Sequence, residues 1–157
     1  MQARGQSCAR RVYDGGMGEV ATVGVRTLRL SGARAQFCVT AGILVMRLAG
    51  PITVAVVRCV RDQIADADVA QAARVALMDL RRGVLVAAPV DMKPTVEADV
   101  PGLTGRLSTA LLVTEQEAAA YREYAALAAW AGYTRRVFTD EDAAWGWAQR
   151  EARLPPW

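Results

Sequence analysis

Leu107-Ser108-Thr109-Ala110-Leu111-Leu112-Val113-Thr114-Glu115-Gln116-Glu117 runs from a strand straight into a helix start, the unit from which a parallel α/β sheet is built. Its first seven residues make an apolar run of strand length. Thr114 and Glu117 then stand at the spacing of a capping box, Thr at N-cap and Glu at N3. Ala118, Tyr121, Ala125 and Ala128 follow on one helical face, and Gly132 supplies a C-terminal stop. The pattern then repeats. Thr134 to Phe138 reads as a short strand, and Thr139-Asp140-Glu141-Asp142 forms a second box. The last helix has an apolar side of Ala144, Trp145 and Ala148, joined by Trp147.

Working back toward the N-terminus, Arg74-Val75-Ala76-Leu77-Met78-Asp79-Leu80 has the look of a central strand, broken by Arg81-Arg82-Gly83. Between Val84 and Leu103 the pattern is hard to read. Val84-Leu85-Val86 extends a strand on one reading, and Pro89, Pro94 and Pro101 limit any helix to a turn or two. Upstream, Gln36 to Thr40 and Ile43 to Leu48 flank Ala41-Gly42 and predict a hairpin, ended by Gly50-Pro51. Thr53 sits where an N-cap belongs, with Val56 or Val57, Val60 and Ile64 at helical spacing up to about Ala67. The predicted order is β-β-α-β-(short α)-β-α-β-α. That order means a single layered α/β domain, with a mostly parallel sheet and flanking helices.

Composition excludes more than it selects. The 157 residues include thirty alanines, yet enough larger apolar side chains remain for one modest core. Histidine is absent, so Ser-His-Asp and Cys-His nucleophiles and His-ligated zinc are excluded. Cys8, Cys38 and Cys59 form no C-x-x-C pair and read as reduced thiols, which points to a cytoplasmic address. The apolar stretch 42–60 is interrupted by Arg47, Pro51 and Arg58, so no membrane span is expected, nor a signal peptide at the N-terminus.

The net charge of +3 is unevenly placed. Residues 1–34 hold six Arg against Asp14 and Glu19, while residues 35–157 hold 13 basic and 14 acidic groups. The expected organisation is therefore a flexible basic, Gly-rich segment over 1–34, a domain over 35–153 and a tail over 154–157. The runs Val20 to Val23 and Val25 to Leu30 leave open an extra edge strand. Tyr13-Asp14-Gly15-Gly16-Met17-Gly18-Glu19-Val20 imitates the glycine-rich loop of protein kinases. The catalytic loop of that fold needs a histidine, and the sole lysine is Lys93. No specific nucleic-acid partner follows from the basic segment.

Three pieces in order resemble the SpoIIAA-like branch of the STAS (STAS/SEC14-like) superfamily. They are Leu48-Ala49-Gly50-Pro51-Ile52-Thr53, Leu77-Met78-Asp79-Leu80-Arg81, and Arg136 to Asp140 followed by Asp142-Ala143-Ala144-Trp145-Gly146-Trp147. The resemblance spans residues 35–150 and implies a fold more than a chemistry. In phosphorylatable members a serine opens the helix after the central strand. Here no Ser or Thr lies between Thr53 and Thr95, so that switch is not carried over.

The expectation is a non-enzymatic protein-binding or regulatory module whose partner is another protein or a second copy. The alternative, implied by the SEC14-like side of the resemblance, is a carrier of a small apolar ligand, distinguished by an apolar pocket under the last two helices. No cofactor, metal or catalytic residue is expected. The candidate binding residues are Arg81, Arg82, Lys93, Tyr121 and Trp145. The Arg81-Arg82 doublet is placed by the tendency of ligands to favour the carboxyl ends of parallel strands. Asp62 and Asp66, four apart, read as a solvated face. Trp130, Trp145 and Trp147 read as core or dimer contacts, and Cys38 and Cys59 as small hydrophobes.

Overall fold

In the computed structural model, the residues described are 22–30, 32–65, 73–88, 91 and 107–154. The kinase-like string, Cys8, Asp66, Lys93, Thr95 and most of 84–103 lie outside them. Six strands form one sheet in sequence order: β1 (Thr22–Leu30), β2 (Ala33–Thr40), β3 (Ile43–Ile52), β4 (Val75–Leu85), β5 (Ser108–Leu112) and β6 (Arg135–Phe138). The first three pair antiparallel, and β3 to β6 run parallel. Helices α1 (Val54–Ala65), α2 (Ala118–Trp130) and α3 (Glu141–Arg153) flank the sheet.

The hairpin turn forms at Ala41-Gly42, with φ of 50° and 74°. Two positive φ values in succession are what a two-residue turn needs to follow the strand twist, and Ala41 bears the steric cost that glycine avoids. The chain then alternates strictly. Phe37, Val39, Leu44, Met46, Ala76, Leu111 and Val113 face one core, under α1 and α2. Cys38, Ile43, Val45, Val75, Leu77, Ala110 and Leu112 face the other, under α3. Both faces of the parallel half are covered, which is why these strands read as continuous apolar runs. α1 and α2 each join neighbouring parallel strands and pack on one face, as crossovers of a single hand require. α3 follows the last strand, is no crossover, and takes the other.

Several local readings change. Gly50-Pro51 does not end β3. Val86 donates its N–H to Ile52 C=O at 3.1 Å, so Ile52 faces β4 and Pro51 faces the opposite side. On that side β2 has already turned away, its last paired residue toward this end being Arg34 opposite Ala49. The missing proline N–H therefore costs no ladder bond. Gly50 (φ +90°) is pressed against the departing chain: a Cβ there would lie 2.5 Å from Gly32 O.

Arg81-Arg82-Gly83 does not break β4 either. Pairing steps from Arg47–Asp79 to Ala49–Arg82, so one extra residue is accommodated as a bulge and the strand resumes to Leu85. The alternative of an extra edge strand holds over 22–30. β1 pairs with β2 through a bulge of its own, inside the stretch expected to be flexible. The order is thus β-β-β-α-β-β-α-β-α among the described residues, and any short helix before β5 falls outside them.

Helix starts divide into one as expected and two shifted. Thr53 Oγ1 accepts from Val56 N at 3.2 Å and caps α1. At α3 the cap is Asp140 rather than Thr139, its carboxylate accepting from Ala143 N at 2.7 Å. At α2 the capping box is not made: a turn over 115–117 precedes the helix, and the N-cap residue Glu117 makes no side-chain cap bond. Thr114 Oγ1 instead donates to Glu117 Oε2 at 3.4 Å, and Glu117 Oε1 accepts from Leu85 N at 3.2 Å. A distant strand end takes the carboxylate that local spacing assigned to the helix. The stop at Gly132 forms as expected, with Tyr133 N donating to Ala128 O and Gly132 N to Ala129 O, both 3.0 Å.

Candidate functional site: an apolar pocket beneath α1 and α2

Beyond Asp79 the extension of β4 has lost β5 as a neighbour, since the β4–β5 register ends at Asp79–Leu112. The extension therefore stands out at the carboxyl end of the sheet, with β3 as its one strand neighbour among the described residues. Beneath α1 and α2, this end opens a pocket lined by Leu48 and Ile52 of β3, Val57 of α1, Met78, Leu80 and Leu85 of β4, Leu111 of β5, and Tyr121 and Tyr124 of α2. Its cavity is small, with about 40 Å³ open to the centres of water-sized molecules. The wall is almost wholly hydrocarbon. Small alanines at 118 and 128 on the inner face of α2 bring that helix close to the sheet, and Tyr121 is the large side chain between them.

Tyr121 is 4% exposed, and its hydroxyl, buried, has no hydrogen-bond partner among the described residues. Burial holds its pKa well above the usual phenol range, and the charge of Glu117 and the neighbouring Tyr124 push the same way. The hydroxyl is therefore neutral at ordinary pH and can donate one bond and accept others.

The basic doublet separates. Arg81 grips Asp79 with Nε to Oδ1 at 2.9 Å and Nη2 to Oδ2 at 2.7 Å, and bonds Glu141 at 3.0 Å. Its backbone N–H also reaches Asp79 Oδ1, at 3.2 Å. Burial pushes the Asp79 pKa up. The hydrogen bonds from Arg81, with the charges of Arg81 and Arg47, outweigh it and hold the carboxyl below its usual value. The bond to Asp79 is also the largest cause that pushes the Arg81 pKa, already far above neutrality, further up. Arg81 thus ties β4 to the start of α3, and its charge is already compensated. Arg82 is exposed, opposite Ala49 on β3. Trp145 is half-buried against the α3 core, Trp147 is within that core, and Trp130 is 92% exposed.

Of the five candidates the pocket contains only Tyr121. Arg81, Arg82 and Trp145 are not among its lining residues, and Lys93 lies outside the described residues. Sequence reasoning missed Tyr124, Val57 and Glu117. For Tyr124 a signal existed, because it stands three residues beyond Tyr121 on the same helical face. The pocket lies beneath α1 and α2, not under the last two helices. Among the described residues no group of three His, Cys, Asp or Glu is placed to hold a metal ion, and no helix is long and apolar enough to cross a membrane.

No family model matches the chain, and no curated protein matches its sequence. Among solved structures it is similar to an anti-sigma factor antagonist from Mycobacterium paratuberculosis, at 19% identity and a TM-score of 0.47, over 80% of this chain and 95% of that one. It is also similar to an uncharacterized protein with a SpoIIAA-like fold from Shewanella loihica PV-4. There the identity is 16% and the TM-score 0.47, over 85% of this chain and 99% of that one. At this identity and overlap neither structure transfers a role to any residue here.

Proposed function

We propose that this protein is a non-catalytic binding module that holds a small apolar molecule carrying one polar atom, in the pocket beneath α1 and α2. The observation that carries this reading is the buried hydroxyl of Tyr121, unpartnered among the described residues, in an otherwise hydrocarbon wall. Leaving such a group unpaired costs about 1–3 kcal/mol, which a ligand oxygen or nitrogen would offset. The apolar wall supplies the rest of the affinity by removing ligand surface from water. The location supports the reading as well, since ligands of open parallel sheets favour the carboxyl ends of the strands. This puts the ligand ahead of the partner protein as the principal function. The absence of histidine from the sequence supports a binding role rather than a catalytic one.

Tyr121→Phe separates the two roles of the hydroxyl. Without ligand, the Phe variant should be as stable as the wild type or more so, because an unpaired polar atom is removed. Ketones and alcohols of short chain should bind the wild type more tightly than alkanes of matched length, and the variant should lose that preference. Calorimetric titration and urea unfolding read the two effects. Equal affinity for ketone and alkane in the wild type would sink the reading, as would a pocket that residues 92–106 of the same chain prove to fill.

A further inference from the structure

The face of the sheet that carries α3 is only partly covered. α3 packs on β5 and β4 and touches β3 and β6, and its core reaches Cys38 of β2, which leaves β1, the Ala33-to-Gln36 end of β2 and the carboxyl halves of β3 and β4 without a helix among the described residues. The register assigns side chains to this open strip. Arg29 stands opposite Arg34, Arg34 opposite Ala49, and Ala49 opposite Arg82, in one row across four strands. Arg47 stands two residues before Ala49 and so on the same face. All four arginines are exposed. Beyond the row come Val84 and Val86, 61% and 62% exposed, at the spacing that puts both on the face of Arg82.

Two features are unusual for a merely solvated face. Like charges directly opposite one another, as at Arg29 and Arg34, weaken a strand pair. Arg29, Arg34 and Arg82 also make no ion pair among the described residues, whereas Arg81 nearby is fully engaged. The strip is thus cationic with an apolar margin at Ala49, Val84 and Val86. It holds no aromatic ring among its described residues, so it offers no platform for stacking bases. Residues 1–21 carry Arg4, Arg10 and Arg11 against Asp14 and Glu19, and charge does not favour them as its cover.

We propose that this strip docks an acidic amphipathic helix of a protein partner, laid beside α3. Its acidic face would pair with the four arginines, and its apolar edge would cover Ala49, Val84 and Val86. The surface lies across the sheet from the Tyr121 pocket, so the two proposals stand or fall separately.

The test uses the full chain and a synthetic helical peptide with leucines along one face and glutamates along the other. Its companion carries lysine in place of every glutamate. The acidic peptide should bind, the basic one should not, and amide NMR shifts should concentrate at Gln36, Ala49 and Val84. The double reversal R34E/R82E should weaken binding about tenfold or more. R34Q/R82Q replaces it if the reversal unfolds, with a loss of smaller size expected. Tyr121→Phe should bind the peptide as the wild type does. Failure of the acidic peptide to bind overturns the proposal, and so does binding that the arginine variants leave unchanged. Tighter, equally arginine-dependent binding of a single-stranded oligonucleotide or of anionic lipid vesicles also overturns it, and assigns the strip to that polyanion.

Discussion

Glu117 illustrates how one side chain is reassigned by its surroundings. Its carboxylate accepts the N–H of Leu85 at the end of β4, where β5 no longer supplies a ladder partner. Glu117→Ala should therefore leave a part-buried backbone donor unsatisfied and cost about 1–3 kcal/mol in urea unfolding. Thr114→Ala should cost less, because its hydroxyl only steadies that carboxylate. Equal losses in the two variants would mean that the helix start, not the strand end, is what Glu117 serves. Asp79 gives a pH dependence. Its folded pKa lies below the unfolded value of 3.8, so its stabilisation is complete above that value, begins to fade below it and is lost as pH falls through the lower folded pKa. The stability difference between the wild type and Asp79→Asn should be largest near neutral pH and shrink in acid. A difference that stays constant from about pH 7 to about pH 3 would contradict the Asp79–Arg81 assignment.

At the level of the element, β1 is the one whose status matters most for the boundary of the folded unit. It pairs with β2 from Thr22 to Leu30, and Leu28 packs against the core under α1 and α2. A chain beginning at residue 22 should melt close to the full chain. One beginning at residue 32 exposes the edge of β2, where Ala33, Ala35 and Phe37 are buried, and should lose several degrees at about 2–4 °C per kcal/mol. If both truncations melt alike, β1 contributes no stability. The bulges in β1 and β4 belong to the same scale. Each inserts a residue without ending its strand, and the one in β4 lets Arg81 turn toward α3 while Leu80 stays in the opposite core.

For the molecule as a whole, two faces of one sheet offer two kinds of binding: an apolar pocket at the carboxyl end and a cationic strip beside α3. Regulation would then act by ligand or partner shifting a pre-existing conformation. A phosphate switch beside β4 lacks a hydroxyl to carry it, because residues 54–94 contain neither Ser nor Thr. Phosphopeptide mass spectrometry of protein from its native cells should find nothing across residues 75–95. A stoichiometric phosphate on Thr95 would restore the switch.

What the sequence determined by itself was whatever neighbours in the chain can satisfy. The Ala41-Gly42 turn, the Thr53 cap and the Gly132 stop each close hydrogen bonds within a few residues, so spacing and residue type sufficed. The continuous apolar runs at Val75 to Leu80 and Leu107 to Val113 likewise announced central strands of a parallel sheet. Only the tertiary structure could decide the continuation of β3 through Pro51, which depends on β2 having already turned away. The same holds for the run of β4 through Arg81-Arg82-Gly83, which needs β3 as its template. Tyr121 was legible as a helical residue facing inward, but not as a hydroxyl without a partner, because that depends on what β3, β4 and α1 bring beside it. Glu117 read as a cap for the same reason. A carboxylate bonds whichever donor lies nearest and unsatisfied, and a donor 32 residues away in the chain comes within reach only after folding.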